Sequence, residues 1–216
     1  GVDLAMIPAA ALLGVEPALK AIVVLTAILT LVGFIWASYE AHGRHSPTWL
    51  FAAPLILGYS FQYGFLNFSL AIAFAFLGLG LWMALARRNC LTLRSLVFIP
   101  ISAAIWITHG IGWGVFGLLA YAAEWARLRD RGHAFLRSAL LAAWHCLPLA
   151  APLILAFIWR SGAASVTTDW FNVEWKLVSI AAALRDRWLS IDVMSVSVIL
   201  AVIVLGVADR RLEWSR

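Results

Sequence analysis

The stretch WLFAAPLILGYSFQYGFLNFSLAIAFAFLGLGLWMALA, residues 49–86, contains no Asp, Glu, Lys or Arg. A helix that spans a bilayer needs about 20 apolar residues, so these 38 residues are long enough for a hairpin of two helices, one of them short. Their centre, Gly58 to Phe68, is polar and aromatic. Such a patch within a hydrocarbon-length run is either a turn at the membrane surface or a functional site. The rest of the chain decides how to read it.

The whole sequence is 63% hydrophobic and 12% charged, against about 25% charge in an average soluble domain. Its apolar runs have helix length and lack the strict polar alternation of a membrane barrel. The expected fold is therefore all-α: a polytopic transmembrane bundle of about 6–8 segments, forming one integral membrane domain over residues 1–216. The segments read as Ala21–Ser38, Trp49–Ser60 (short, interrupted by Pro54), Phe65–Ala86, Leu96–Thr108, Ile111–Ala126, Ser138–Trp159 and Val193–Val207. Leu4–Leu13 is apolar but short. The chain opens Gly1-Val2-Asp3-Leu4 and closes on Trp214-Ser215-Arg216, and is expected to be an internal piece of a longer protein.

A net charge of +5 in a soluble protein would suggest nucleic acid. Here the positive residues fall between apolar runs, so they report topology and nucleic acid is not an expected partner. Arg87, Arg88 and Arg94 follow one span; Arg127, Arg129, Arg131 and Arg137 follow another; Arg210, Arg211 and Arg216 follow the last. Placing all three clusters in the cytoplasm puts Asn67, the His109-Gly110 turn and the loop from Arg160 to Ile191 on the outer side. Residues 160–190 form the one sizeable outer loop, and Trp175–Trp188 reads as an amphipathic helix lying on the surface, with Leu177, Ile180, Leu184 and Trp188 on one face. Cys90 and Cys146 sit in or beside apolar runs, so no disulfide framework and no metal site is expected.

Polar groups at membrane depth are costly and often functional. On the outer side these are Gln62, Tyr63 and Asn67, then His109, then Arg160, Asp169, Glu174 and Lys176. Each also has a plainer explanation. Asn67 is placed to cap its helix or bond a neighbouring one, His109 to be solvated or to cap a helix at its turn, and Asp169 and Glu174 to form local ion pairs. Gly110, Gly112, Gly114 and Gly117 read as a close-packing face containing a Gly-x-x-x-Gly pair. His145 reads as a packed, hydrogen-bonded core histidine and Pro148 as a kink. The arginine clusters read as topology signals.

One order of motifs adds to this. Val2-Asp3-Leu4, then Tyr63-Gly64-Phe65-Leu66-Asn67-Phe68 leading into a glycine-dotted helix, then Thr108-His109-Gly110 opening Trp113-Gly114-Val115-Phe116-Gly117, resembles bacterial polytopic membrane proteins of the GT-C glycosyltransferase superfamily. The resemblance covers most of residues 1–210 through short motifs. It implies a bacterial inner-membrane enzyme that moves a sugar from a polyprenyl-phosphate donor at the outer face. Membrane lipids, the donor lipid and other membrane subunits are the implied partners, with no resident cofactor. The family's catalytic carboxylate sits in the first outer loop, after the first membrane helix; this chain is expected to begin after that point, with Asp3 as the tail of that loop and the family's base outside the sequence. Asp3, Asp169 and His109 are the catalytic candidates within it. Tyr63, Asn67, His109, Arg160 and Lys176 are the candidates for binding substrate, the two cations against the lipid phosphate. A non-catalytic membrane subunit and a transporter are the competing readings, the latter because Pro54–Gly64 resembles a discontinuous helix.

Overall fold

The computed structural model describes residues 1–46, 49–50, 53–158, 172–181 and 189–208. Every regular element among them is helical, and no strand is present. The chain falls into two compact units, Gly1–Trp49 with Phe65–Val166, and Leu50–Gly64 with Thr167–Arg216.

The larger unit begins with α1 (Val2–Leu13) and α2 (Val15–His42). They are separated by Gly14 alone, whose φ of 83° is left-handed and open to glycine without steric cost. The smaller unit contributes two four-residue helices next, α3 (Ala53–Ile56) and α4 (Tyr59–Gln62). The larger unit resumes with α5 (Leu66–Arg87), α6 (Leu91–Thr108), α7 (Gly110–Asp130) and α8 (Phe135–His145), a 3-10 turn at Leu147–Ala150, and α9 (Pro152–Ile158). The smaller unit closes with α10 (Val173–Ala181) and α11 (Leu189–Ala208).

Helices α2, α5 and α6 are long and apolar enough to cross a membrane. The pair Phe135–His145 and Leu147–Ile158 is bent by 48° and makes a fourth crossing if it is one broken span. Pro148 and Pro152 account for the break, because neither can donate to the helical ladder. The expected segment Ser138–Trp159 is thus broken at the kink expected at Pro148, and its end lies outside the described residues. In the short, Pro54-interrupted segment Trp49–Ser60, the described residues hold α3 and the start of α4, each about 6 Å long, and neither is long enough to span alone. Helix α7 has the length but carries Glu124, Arg127, Arg129 and Asp130 in its last two turns.

The burial pattern is the inverse of a soluble helix. On α2 the buried stripe is Ala18, Ile22, Thr26, Thr30, Gly33 and Ala37, mostly small or hydroxylated. The exposed face carries Leu19, Val24, Leu25, Ile28 and Val32. Water would not tolerate so continuous an apolar surface, whereas lipid favours it and leaves small residues to set helix contacts. The buried hydroxyls are satisfied within the helix: Thr26 Oγ1 donates to the Ile22 carbonyl and Thr30 Oγ1 to the Thr26 carbonyl, each at 2.8 Å.

Helix directions follow from side-chain register. Ile22 and Leu70 share one apolar cluster, Phe34 meets Phe76 at 4.0 Å, Trp36 lies against Gly80, and Glu40 pairs with Arg87 at 2.8 Å. Numbers rise together, so α2 and α5 run parallel, and residues 43–65 connect opposite ends of this unit. The turn at Asn89, a left-handed residue with φ of 61°, sends α6 back, and His109 sends α7 forward again. Gly112 abuts Ala71, and Gly78 abuts Phe116, so α7 is parallel to α5. Gly114 and Gly117 face no neighbour within contact distance. The expected packing face therefore reduces to Gly112. The core between α5, α6 and α7 is Trp82, Phe98 and Phe116, with the Phe98 ring edge-on to Trp82 at 5.0 Å and stacked on Phe116 at 5.6 Å.

Candidate functional site

With α2, α5 and α7 parallel and α6 opposed, the unit has two chemically different ends. Arg87, Arg88, Arg94, Arg127, Arg129, Arg131 and Arg137 gather at one. The start of α1, the start of α5 and the α6–α7 junction gather at the other.

At that second end, Asn67 joins two helices. Its Oδ1 accepts the Val2 backbone N–H at 2.6 Å, and its Nδ2 donates to Asp3 Oδ2 at 3.4 Å. The N-cap of α5 is Phe65, so Asn67 is a cross-helix tie rather than a cap. Gly1 lies against both Asn67 and Thr108. His109 is the N-cap of α7, its Nδ1 accepting the Ile111 N–H at 3.3 Å. That bond requires an unprotonated Nδ1 and leaves Nε2 as the edge available for other partners. The same ring meets Phe68 edge-on at 5.4 Å. Asp3 is exposed, and Asn67 and His109 are half-buried. Asp3 and Asn67 thus make contact across 64 positions, a reachable carboxylate held by a carboxamide, and His109 lies at the same end of the bundle against Phe68, the neighbour of Asn67.

The remaining candidates lie elsewhere. Tyr63 follows α4 in the smaller unit, exposed, its ring stacked on Tyr59 at 4.2 Å; Gln62 beside it donates to the Leu57 carbonyl at 2.8 Å. Glu174 and Lys176 are exposed on α10, whose first turn is closed by Asn172 Oδ1 accepting the Trp175 N–H at 3.0 Å. A helix is present over Val173–Ala181, and the rest of the expected amphipathic stretch lies outside the described residues. Arg160 and Asp169 also lie outside them. Among the described residues no group of His, Cys, Asp and Glu is placed to hold a metal ion.

The arginine-rich end holds a cluster that sequence reasoning passed over. Glu124 of α7, about 1% exposed, takes Arg94 Nη1 of α6 at 2.8 Å and Arg127 Nε at 2.9 Å on its Oε2. Its Oε1 accepts from Arg127 Nη2 and pairs with His145 Nδ1 of α8. The Arg94 guanidinium lies 3.9 Å from the centre of the Trp82 ring. His145 is hydrogen-bonded as expected but half-buried rather than in the core, and Arg94 and Arg127 are far more than topology signals. One clue was legible: a carboxylate within the apolar run Ile111–Ala126 is too expensive to stand unpaired, and Arg127 follows it by one helical turn. No family model, curated protein or solved structure matches this chain.

Proposed function

We propose that the chain is the membrane core of a GT-C-like glycosyltransferase, working at the outer face of the bacterial inner membrane on a polyprenyl-phosphate sugar donor. The observation that carries this reading is the Asp3–Asn67 contact, with His109 beside Phe68, at the end of the bundle opposite the arginines. Positive residues favour the cytoplasm, so the Asp3 end faces outward. In this reading α7 and α11 also cross the membrane, bringing the count towards the six to eight segments expected.

The chemistry is an inverting displacement. An acceptor hydroxyl oxygen forms a bond to the sugar's anomeric carbon as the carbon–oxygen bond to phosphate breaks. The acceptor proton passes to Asp3, and the electron pair leaves on polyprenyl phosphate. Asn67 holds the carboxylate in place, and the Nε2 edge of His109 is a donor for the sugar.

The test is release of polyprenyl phosphate by the natural full-length protein in nanodiscs, offered a panel of polyprenyl-phosphate sugars and acceptors. Turnover is expected, and Asp3→Asn should reduce it by about 10²–10⁴, the usual worth of general-base catalysis. A folded protein that turns over no donor, or full activity in Asp3→Asn, overturns the proposal. Transport is the second reading, favoured by the interruptions between α3 and α4 and between α8 and α9. Solute uptake into proteoliposomes without bond cleavage would select it.

A further inference from the structure

The cluster around Glu124 has more donors than acceptors. A carboxylate offers about four lone-pair positions, and Glu124 fills them with Arg94 Nη1, Arg127 Nε, Arg127 Nη2 and His145 Nδ1. Three N–H groups remain buried without an acceptor: Arg94 Nε, Arg127 Nη1 and the Nε1 of Trp82, whose ring underlies Arg94. The Arg94 side chain is only 2% exposed. Two guanidiniums face one carboxylate, so with His145 neutral the cluster carries one uncompensated positive charge. Buried charge without a counter-charge is strongly disfavoured. Donor surplus and charge surplus have the same complement, a group with several anionic oxygens.

The cluster's depth suits such a group. Arg127 lies three residues from the end of α7 and Arg94 three residues from the start of α6, roughly 5 Å inside each helix end. With α6 read as a membrane span, this places the cluster near one face of the bilayer. Arg127 and His145 are the members reachable from outside, at 17% and 27% exposure. Arg129, Arg131 and Arg137 lie at the same end and draw anions towards it.

We propose that Arg94, Glu124, Arg127 and His145 form an anion site at the arginine-rich end, which binds a phosphate group against the outward edge of Arg127. An anionic lipid headgroup of the facing leaflet and free phosphate share this chemistry. The site is independent of the transferase reading and lies at the opposite end of the bundle from Asp3.

The experiment compares unfolding temperatures in nanodiscs of phosphatidylcholine, of phosphatidylcholine with phosphatidylglycerol, and of phosphatidylcholine with inorganic phosphate in the buffer. A rise with phosphatidylglycerol alone identifies the lipid as the source, and a rise with phosphate identifies the free ion. Either rise should vanish in Arg127→Gln and persist in Arg131→Gln, which alters an arginine outside the cluster. Arg127→Lys should also lose it, because one ammonium cannot serve both Glu124 and the anion. Glu124→Gln removes the competing charge and should lower the half-saturating anion concentration about tenfold. No rise with either anion, or a rise unchanged in Arg127→Gln, overturns the site. If the arginine variants do not fold, an unaltered response in Glu124→Gln overturns it instead.

Discussion

At residue scale, Glu124 and His109 do opposite kinds of work. Glu124 is buried and collects four donors from three helices. Glu124→Ala strands two buried guanidiniums, and breaking a buried pair this way costs about 3–5 kcal/mol. The expected outcome is a large fall in the thermal midpoint of tryptophan fluorescence in detergent. His109 makes a smaller contribution, one cap bond at a helix start. His109→Ala should cost about 0.5–2 kcal/mol, and His109→Asn should restore stability because asparagine is a good cap. Stability retained in His109→Asn with sugar transfer lost would separate its chemical role from its capping role.

The same two residues mark what could be read from sequence. The Thr108-His109-Gly110 turn is local, so its capping role was visible in the order of residues. The Glu124 cluster pairs positions 30 and 21 residues apart, and those pairs depend on how three helices are rotated about their axes. Hydrophobic runs of this length fix where helices are but say little about rotation, since lipid accepts apolar side chains on every face. Asn67 fell between these cases: its polarity flagged it, but the Val2 and Asp3 partners lie on a helix 64 or more positions earlier.

At the scale of elements, helix contact is set by where side chains are missing. A Cβ on Gly112 would lie 2.5 Å from the Ala71 Cβ and 3.2 Å from its backbone carbon. Gly112→Ala should force α5 and α7 apart and cost about 1–3 kcal/mol. Gly114→Ala, on the same helix with open space around it, should be neutral or stabilising by up to about 1 kcal/mol. The two variants compared in one unfolding assay test the packing; equal effects would contradict it. The glycine-rich character of α7 was plain in the sequence, whereas the one glycine that matters for contact is a matter of facing. The α8–α9 break was half legible, since Pro148 announces a kink but not a 48° change of direction.

At the scale of the molecule, the apolar runs read from the sequence became α2, α5 and α6, because length and hydropathy alone suffice for them. The sorting of arginines to one end of the larger unit also follows from the alternation of those runs. Single cysteines at Asp3 and Arg131, in a background with Cys90 and Cys146 replaced by alanine, should label from opposite sides of a sealed vesicle with an impermeant maleimide. Labelling from the same side would contradict the antiparallel order of α5, α6 and α7 and the assignment of the Asp3 end to the outside.

The parallel pairing of α2 with α5 has a consequence for biogenesis. Neighbouring helices in a membrane bundle commonly meet as hairpins, each one docking as it leaves the ribosome. Here α2 is complete at His42, but its partner is finished only at Arg87, 45 residues later. At 5–20 residues per second that is a wait of roughly 2–9 s. During it the small-residue stripe of Thr26, Thr30 and Gly33 has no α5 to close on. Lipid, α1 or the insertion machinery must shield that stripe until α5 arrives, so a surface that later packs on α5 is also one open to misassembly while the chain is being made.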